Sequence, residues 1–257
     1  MTWELLLVCF LASAAAGIGT GFAGMSAAAV IAPMLSTFLD IPIYDAIGIG
    51  LASDVIASAI SAYNYKKSGN LDIKNSLVLL ITILVVTIIG SWVASLVSEQ
   101  AMNSTMQIAM IIIGLKFLIK PINTPKERLA EQSKKQRNIK AVIGGIFIGF
   151  TCGFVGAGGG MMMLFVLTTF LGYSLHLAVG TSVFIMMFTA LTGGVSHFVI
   201  GGMPDVWCLV MCIVFTFIWA QIASKIANKS KPSTLNRVVG IVLIATSVVI
   251  LMVNYLF

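Results

Sequence analysis

Gly17-Ile18-Gly19-Thr20-Gly21-Phe22-Ala23-Gly24 and Gly149-Phe150-Thr151-Cys152-Gly153-Phe154-Val155-Gly156 are one phrase written twice, 132 positions apart. The register continues without a gap through Leu35/Leu167, Thr37-Phe38-Leu39/Thr169-Phe170-Leu171, Ala46/Ala178, Gly48/Gly180 and Gly69/Gly201. Each copy opens on an apolar stretch interrupted by glycine, which has little helix propensity. Paired interruptions at corresponding places in two hydrophobic halves point to a transport site. The chain therefore divides into a first membrane repeat over residues 1–120, a basic linker over 121–140 and a second membrane repeat over 141–257.

Composition agrees. Of 257 residues, 59% are hydrophobic and 9% charged, and the mean hydropathy is +1.05. So little charge cannot cover a soluble domain of this size, so the chain belongs in a lipid bilayer. The run from Leu5 to Ala16 has the length of a signal-peptide core but carries Glu4 instead of a positive flank, so it reads as mature structure. All fifteen Lys and Arg fall in three places: Lys66, Lys67 and Lys74; Lys116 through Lys140; and Lys225 through Arg237. These lie between apolar runs, so the net charge of +6 reports orientation in a membrane rather than affinity for nucleic acid.

Six runs read as spanning helices: 44–65, 76–96, 105–119, 175–200, 206–223 and 235–256. Two others, Thr2–Leu39 and Ala141–Leu171, would measure roughly 57 Å and 47 Å as straight helices, against a hydrocarbon core of about 30 Å. Their glycines sit mid-way, so a break is expected at 17–24 and 153–160. If all basic loops face the cytoplasm, two crossings separate Lys140 from Lys225, and the broken run must fold back as a re-entrant hairpin with arms of about 12 residues. The expected fold is an all-α integral membrane protein of two inverted repeats. Each is a glycine-broken, re-entrant segment followed by three transmembrane helices, giving eight hydrophobic segments.

Helix restarts inside a membrane offer bare N–H groups and the positive end of a helix dipole, a cradle for an anion. The second elbow, Gly156, Ala157, Gly158, Gly159 and Gly160, admits the closest approach. The first, Gly24, Met25, Ser26 and Ala27, has the register but leads into alanines. Close helix packing through small residues is the competing explanation. The two elbows, each followed by a small-residue helix (Ala46-Ile47-Gly48-Ile49-Gly50-Leu51-Ala52-Ser53; Ala178-Val179-Gly180-Thr181-Ser182-Val183), together with the turn Lys66-Lys67-Ser68-Gly69-Asn70-Leu71-Asp72, resemble the sulfite exporter TauE/SafE family. The resemblance covers nearly the whole chain. It implies a permease for small sulfur-containing anions such as sulfite or organosulfonates.

Several side chains could complete such a site. Thr181 and Ser182 are hydroxyl donors for an oxoanion, or interhelical glue. Asp54 is the one carboxylate mid-way along an apolar run. Charge there is costly, so it is a candidate to carry a proton during transport, or else a neutral acid bonded to a neighbouring helix. Asn64-Tyr65 aligns with Ser196-His197. His197 could gate the path, or all of these could sit at the interface with Tyr63 and Tyr65 as membrane-edge anchors. Cys152 could touch a sulfur substrate, though buried thiols are usually inert. Cys208 and Cys212 share a helix face without a histidine or carboxylate, and like Met161-Met162-Met163 and Met186-Met187 they read as packing. No metal or cofactor is expected, and no nucleotide-binding motif occurs. The reading is a secondary transporter of a small anion, not an enzyme. Its rivals are a passive anion channel and a membrane-embedded thiol or redox enzyme acting through Cys152 and His197.

Overall fold

The computed structural model describes residues 3–98, 133–155 and 159–231 and the single positions 108, 112, 115, 119, 233, 234, 237, 238, 241, 244, 245 and 248. Among these the regular structure is all helical: α1 Trp3–Ala23, α2 Ala28–Leu39, α3 Ile43–Lys67, α4 Leu77–Ser95, α5 Lys134–Val155, α6 Gly159–Phe165 with a π-helical continuation Val166–Phe170, α7 Leu175–Gly201 and α8 Val206–Ala227. Adding 132 to the bounds of α1 to α4 lands within three residues of α5, α6 with its continuation, α7 and α8. The expected spans 105–119 and 235–256 lie largely outside the described residues. Helix α5 begins at Lys134, within the stretch 121–140 expected to act as the linker.

The helices α1, α3, α4, α7 and α8 are each long and apolar enough to cross a membrane. Their outer faces carry Ile81, Trp92, Val199 and Trp207 in exposed positions, which suits lipid rather than water. The protein is a multi-pass membrane protein.

The second break falls between Val155 and Gly159, inside the expected 153–160, while the first comes only at the end of its tract. Helix α1 runs 21 residues, roughly 31 Å at 1.5 Å per residue, and only the return arm α2 has the expected 12. Gly17 and Gly21 stay helical because a neighbour needs their missing side chains. A Cβ at Gly17 would come within 2.7 Å of Trp219, and one at Gly21 within 2.6 Å of Ala223. Lipid gives no hydrophobic drive for helices to associate, so close backbone approach supplies the contact energy and overrides weak propensity. The chain turns only at Gly24, whose φ of +59° is a conformation that glycine adopts without a steric penalty.

Packing repeats as the sequence does. Helix α1 lies along α8 in the same direction, with Cys9 against Cys208, Ser13 against Cys212 and Gly17 against Ala220. Helix α5 lies along α4 in the same direction, with Gly145 against Thr82, Gly149 against Ile83 and Val86, and Gly153 against Thr87. Each half thus lends its first helix to the last extended helix described in the other. The matched helices α3 and α7 run antiparallel: Gly201 meets Tyr44, Gly48 meets His197 and Phe198, Gly194 meets Leu51, and Gly180 meets Tyr65.

The loops after α3 and α8 share one end of the bundle. Asn70 Nδ2 donates to Asn228 Oδ1 at 3.3 Å, and His176 Nε2 lies 3.3 Å from the Ser230 carbonyl. Arg137, near the start of α5, lies close enough to Tyr173 to act on it electrostatically, and Tyr173 in turn donates to Asp72 at 3.3 Å. The basic ends of α3, α5 and α8 are therefore gathered together. Asp72 fastens this end: it accepts from Asn75 N–H at 3.1 Å and Asn75 Nδ2 at 2.7 Å, and its own N–H donates to Thr181 Oγ1 at 3.1 Å.

Candidate functional site

At the first elbow α1 closes with a left-handed cap. Gly24 N–H donates to the Thr20 carbonyl at 2.9 Å, the single bond of an αL ending, and Met25 N–H reaches the Gly19 carbonyl at 3.3 Å. Thr20 Oγ1 then holds the Met25 carbonyl at 2.8 Å. Helix α2 restarts from Ala27 with no side-chain cap from that residue. What faces its first turn is Asp54, from the middle of α3. The carboxyl is wholly buried, with the Ser26 side chain and the Ala27 N–H directed at it. Ser58 donates to its Oδ1 at 2.9 Å, while Oδ2 has no hydrogen-bond partner. The cradle of the first elbow thus already faces a carboxyl group of the chain itself.

Gly156, Ala157 and Gly158 lie outside the described residues. Helix α6 restarts at Gly159, and Gly160 is pressed against the carbonyl of Gly24, so the elbows touch. Ser182 Oγ packs against Gly24 as well and donates to the Val179 carbonyl at 2.8 Å. Met186, the residue matched to Asp54, places its methyl beside Gly160. The elbows therefore meet between the middles of α3 and α7. Cys152 is buried near Asp54, Thr87 and Thr189. Thr181 is committed elsewhere, since its hydroxyl accepts the Asp72 N–H.

One matched pair closes both elbows. Tyr65 hydroxyl donates to the Gly21 carbonyl at 3.2 Å. His197 Nε2 lies 3.3 Å from the carbonyl of Gly153, the residue matched to Gly21, and its Nδ1 lies 3.2 Å from the Tyr44 carbonyl. Both side chains are buried, which corrects the expectation that Tyr65 anchors the membrane edge; only Tyr63 is exposed. A neutral imidazole can donate to just one of its two carbonyl neighbours, so the protonation of His197 is tied to the backbone entering the second elbow.

Asn64 lies at a different level. Its Nδ2 donates to Gln221 Oε1 at 3.0 Å and to Ser224 Oγ at 2.8 Å. It forms part of a cavity of about 530 Å³ at the basic end, between α3 and α8, lined also by Lys67, Lys225, Asn228 and Lys229. Sequence reading assigned those lysines to orientation alone. Their convergence joins residues about 160 positions apart, which no local pattern reveals.

A glycine-broken helical pair in each half, meeting beside a buried carboxyl within a multi-pass bundle, is the architecture of a membrane transporter. The sequence profile of the family described as "Sulfite exporter TauE/SafE" matches residues 9–250, and the chain belongs to that family. Among its relatives is "Probable membrane transporter protein YdhB" of Bacillus subtilis (strain 168), 26% identical over 87% of this chain and 89% of the relative. A second is "Probable membrane transporter protein YunE" of the same organism, 24% identical over 89% of this chain and 88% of the relative. A third, a "Probable membrane transporter protein" of Haemophilus influenzae, is 28% identical over 77% of this chain and 76% of the relative. No solved structure matches this chain. The protein is a membrane transporter, not an enzyme.

Proposed function

We propose that this chain is a secondary transporter of a small anion, a sulfur oxoanion or organosulfonate, working by alternating access between two inverted halves. The antiparallel course of the matched helices α3 and α7 supports inversion, because equivalent ends then lie at opposite ends of the bundle. The gathering of the basic loops at one end supports a cytoplasmic assignment for that end. The observation that carries the substrate class is the first elbow, where a buried acid faces the start of a helix. A site that accommodates the Asp54 carboxyl suits an oxoanion of similar donor demand. The family's name supplies the sulfur.

In this reading the contact of Gly24 with Gly160 is the closed point of the path. Parting the halves exposes the first turns of α2 and α6 to one side and then the other. An ionised Asp54 repels an incoming anion and competes for the same N–H groups. A protonated Asp54 does neither, so proton uptake and substrate binding favour one another. The lysine-lined cavity between α3 and α8 raises the local anion concentration at one mouth.

The test is uptake by the purified protein in proteoliposomes. A panel of labelled sulfite, sulfonate and carboxylate anions is offered at set pH gradients. Saturable uptake with counterflow exchange, greatest for sulfur oxoanions, is expected. Equal transport of carboxylates would remove the substrate class. Unitary currents without counterflow would replace the carrier with a channel.

A further inference from the structure

Three of the chain's four cysteines converge where α1 crosses α8. Cys9, Cys208 and Cys212 are all fully buried, and their three sulfurs lie within 4.8 Å of one another. Cys9 Sγ and Cys208 Sγ are 3.4 Å apart. Asp205 fixes the start of α8 by accepting from the Cys208 N–H at 2.7 Å, so Cys208 and Cys212, one turn apart, face α1 together. Cys9 could not be assigned to this group from sequence, being 199 residues from Cys208.

Packing alone does not call for these thiols. The contact of α1 with α8 recurs as that of α5 with α4, and there the matched positions hold Ala141, Ser76 and Leu80, equally buried. Three substitutions away from the repeat, all to cysteine and all meeting at one point, distinguish the first pair from its copy.

We propose that Cys9, Cys208 and Cys212 form a trigonal thiolate site for a soft, closed-shell metal ion, Cu(I). An ion bonded at about 2.3 Å to three sulfurs in one plane sets them about 4.0 Å apart, within the span of this cluster. Thiolate-only sites select Cu(I) over harder ions, and Zn(II) in structural sites requires a fourth ligand. Binding changes no oxidation state. Each thiol that ligates as thiolate gives its proton to solvent, so affinity rises with pH. The bound ion ties the first half of the chain, through α1, to the last helix described in the second.

The experiment uses the full-length protein in detergent under anaerobic, reducing conditions. Cu(I) is titrated against a chromogenic Cu(I) chelator, and X-ray absorption is recorded on the loaded protein. One equivalent per chain, with sulfur-only coordination at about 2.3 Å, is expected. The variant Cys9→Ala/Cys208→Ser/Cys212→Leu carries the residues of the other half at the matched positions, which preserves the packing. It should bind at least about a hundredfold more weakly, while Cys152→Ser should bind like the parent. Unchanged binding by the triple variant, nitrogen or oxygen ligation, or a Cys9–Cys208 disulfide persisting in the reduced protein would each overturn the assignment.

Discussion

Replacing Gly160 by alanine tests whether contact between the elbows closes the path. A Cβ at this position would sit 2.7 Å from the Met186 methyl, 3.0 Å from the Gly24 carbonyl carbon, and nearer still to the Gly24 oxygen, where ordinary contact begins at 3.4 Å. Met186 ends a flexible side chain and can swing aside. The Gly24 peptide cannot, because its φ of +59° and its 2.9 Å bond to Thr20 fix the cap of α1. The elbows must therefore part, by a distance set by the Gly24 oxygen rather than its carbon, and overpacking by one methyl typically costs about 1–3 kcal/mol. If that cost falls on the closed conformation, through which every transport cycle passes, exchange should slow by about five- to 150-fold. The assay is counterflow exchange in proteoliposomes at matched protein content, with thermal unfolding in detergent measured in parallel. Gly202→Ala is the control, since Gly202 has φ +92° with nothing within 4 Å and should cost only backbone strain. Wild-type exchange and stability in Gly160→Ala would refute the reasoning. So would equal slowing in Gly202→Ala, because the effect would then not belong to the elbow contact.

Asp54→Asn keeps the shape of the buried side chain and its bond from Ser58 but removes the titrating group. It should retain counterflow exchange while losing accumulation driven by a proton gradient, and undiminished accumulation would free Asp54 from any coupling role. Exchanging Lys67, Lys225 and Lys229 for glutamine should lower kcat/KM for the anion by about tenfold at low ionic strength. The difference should shrink as salt shortens the Debye length toward about 3 Å at 1 M, and a salt-independent loss would argue against electrostatic attraction at that mouth. Tyr65→Phe removes the 3.2 Å bond to the Gly21 carbonyl and should lower unfolding stability by about 1 kcal/mol. No change on thermal unfolding would mean that this bond contributes nothing to holding the first elbow.

The repeat told where helices would lie because a gapless register constrains every element at once. Apolar length and register placed a span at 175–200, within one residue of the observed bounds of α7. The depth of the breaks was less legible, since glycine at 17, 19 and 21 signals weak propensity whether or not a neighbouring helix needs the space. Gly17 against Trp219 and Gly21 against Ala223 are tertiary facts. Asp54 stood out as a lone intramembrane acid, yet its approach to Ala27 joins elements that the sequence gives no reason to pair at that point. The same holds for Cys9 with Cys208.

What remains is why two copies of one backbone should carry such different side chains at their centre. Matched positions hold Asp54 and Met186, Tyr65 and His197, Thr20 and Cys152, Gly50 and Ser182. The shared residues include glycines that let α1 and α5 lie against their partners, Gly17 with Gly149 and Gly21 with Gly153. Several of the differing residues can bond or titrate and lie near the elbows: Asp54, His197, Cys152 and Ser182. A symmetric scaffold provides two equivalent conformations, each the other seen from the opposite side. A symmetric site would take no account of which side holds the protons, whereas this chain places the titratable groups Asp54 and His197 beside different elbows. On the proposed reading, directional coupling resides in the departures from the repeat. Grafting Asp onto position 186 while making residue 54 Met should alter the proton dependence of exchange more than its existence.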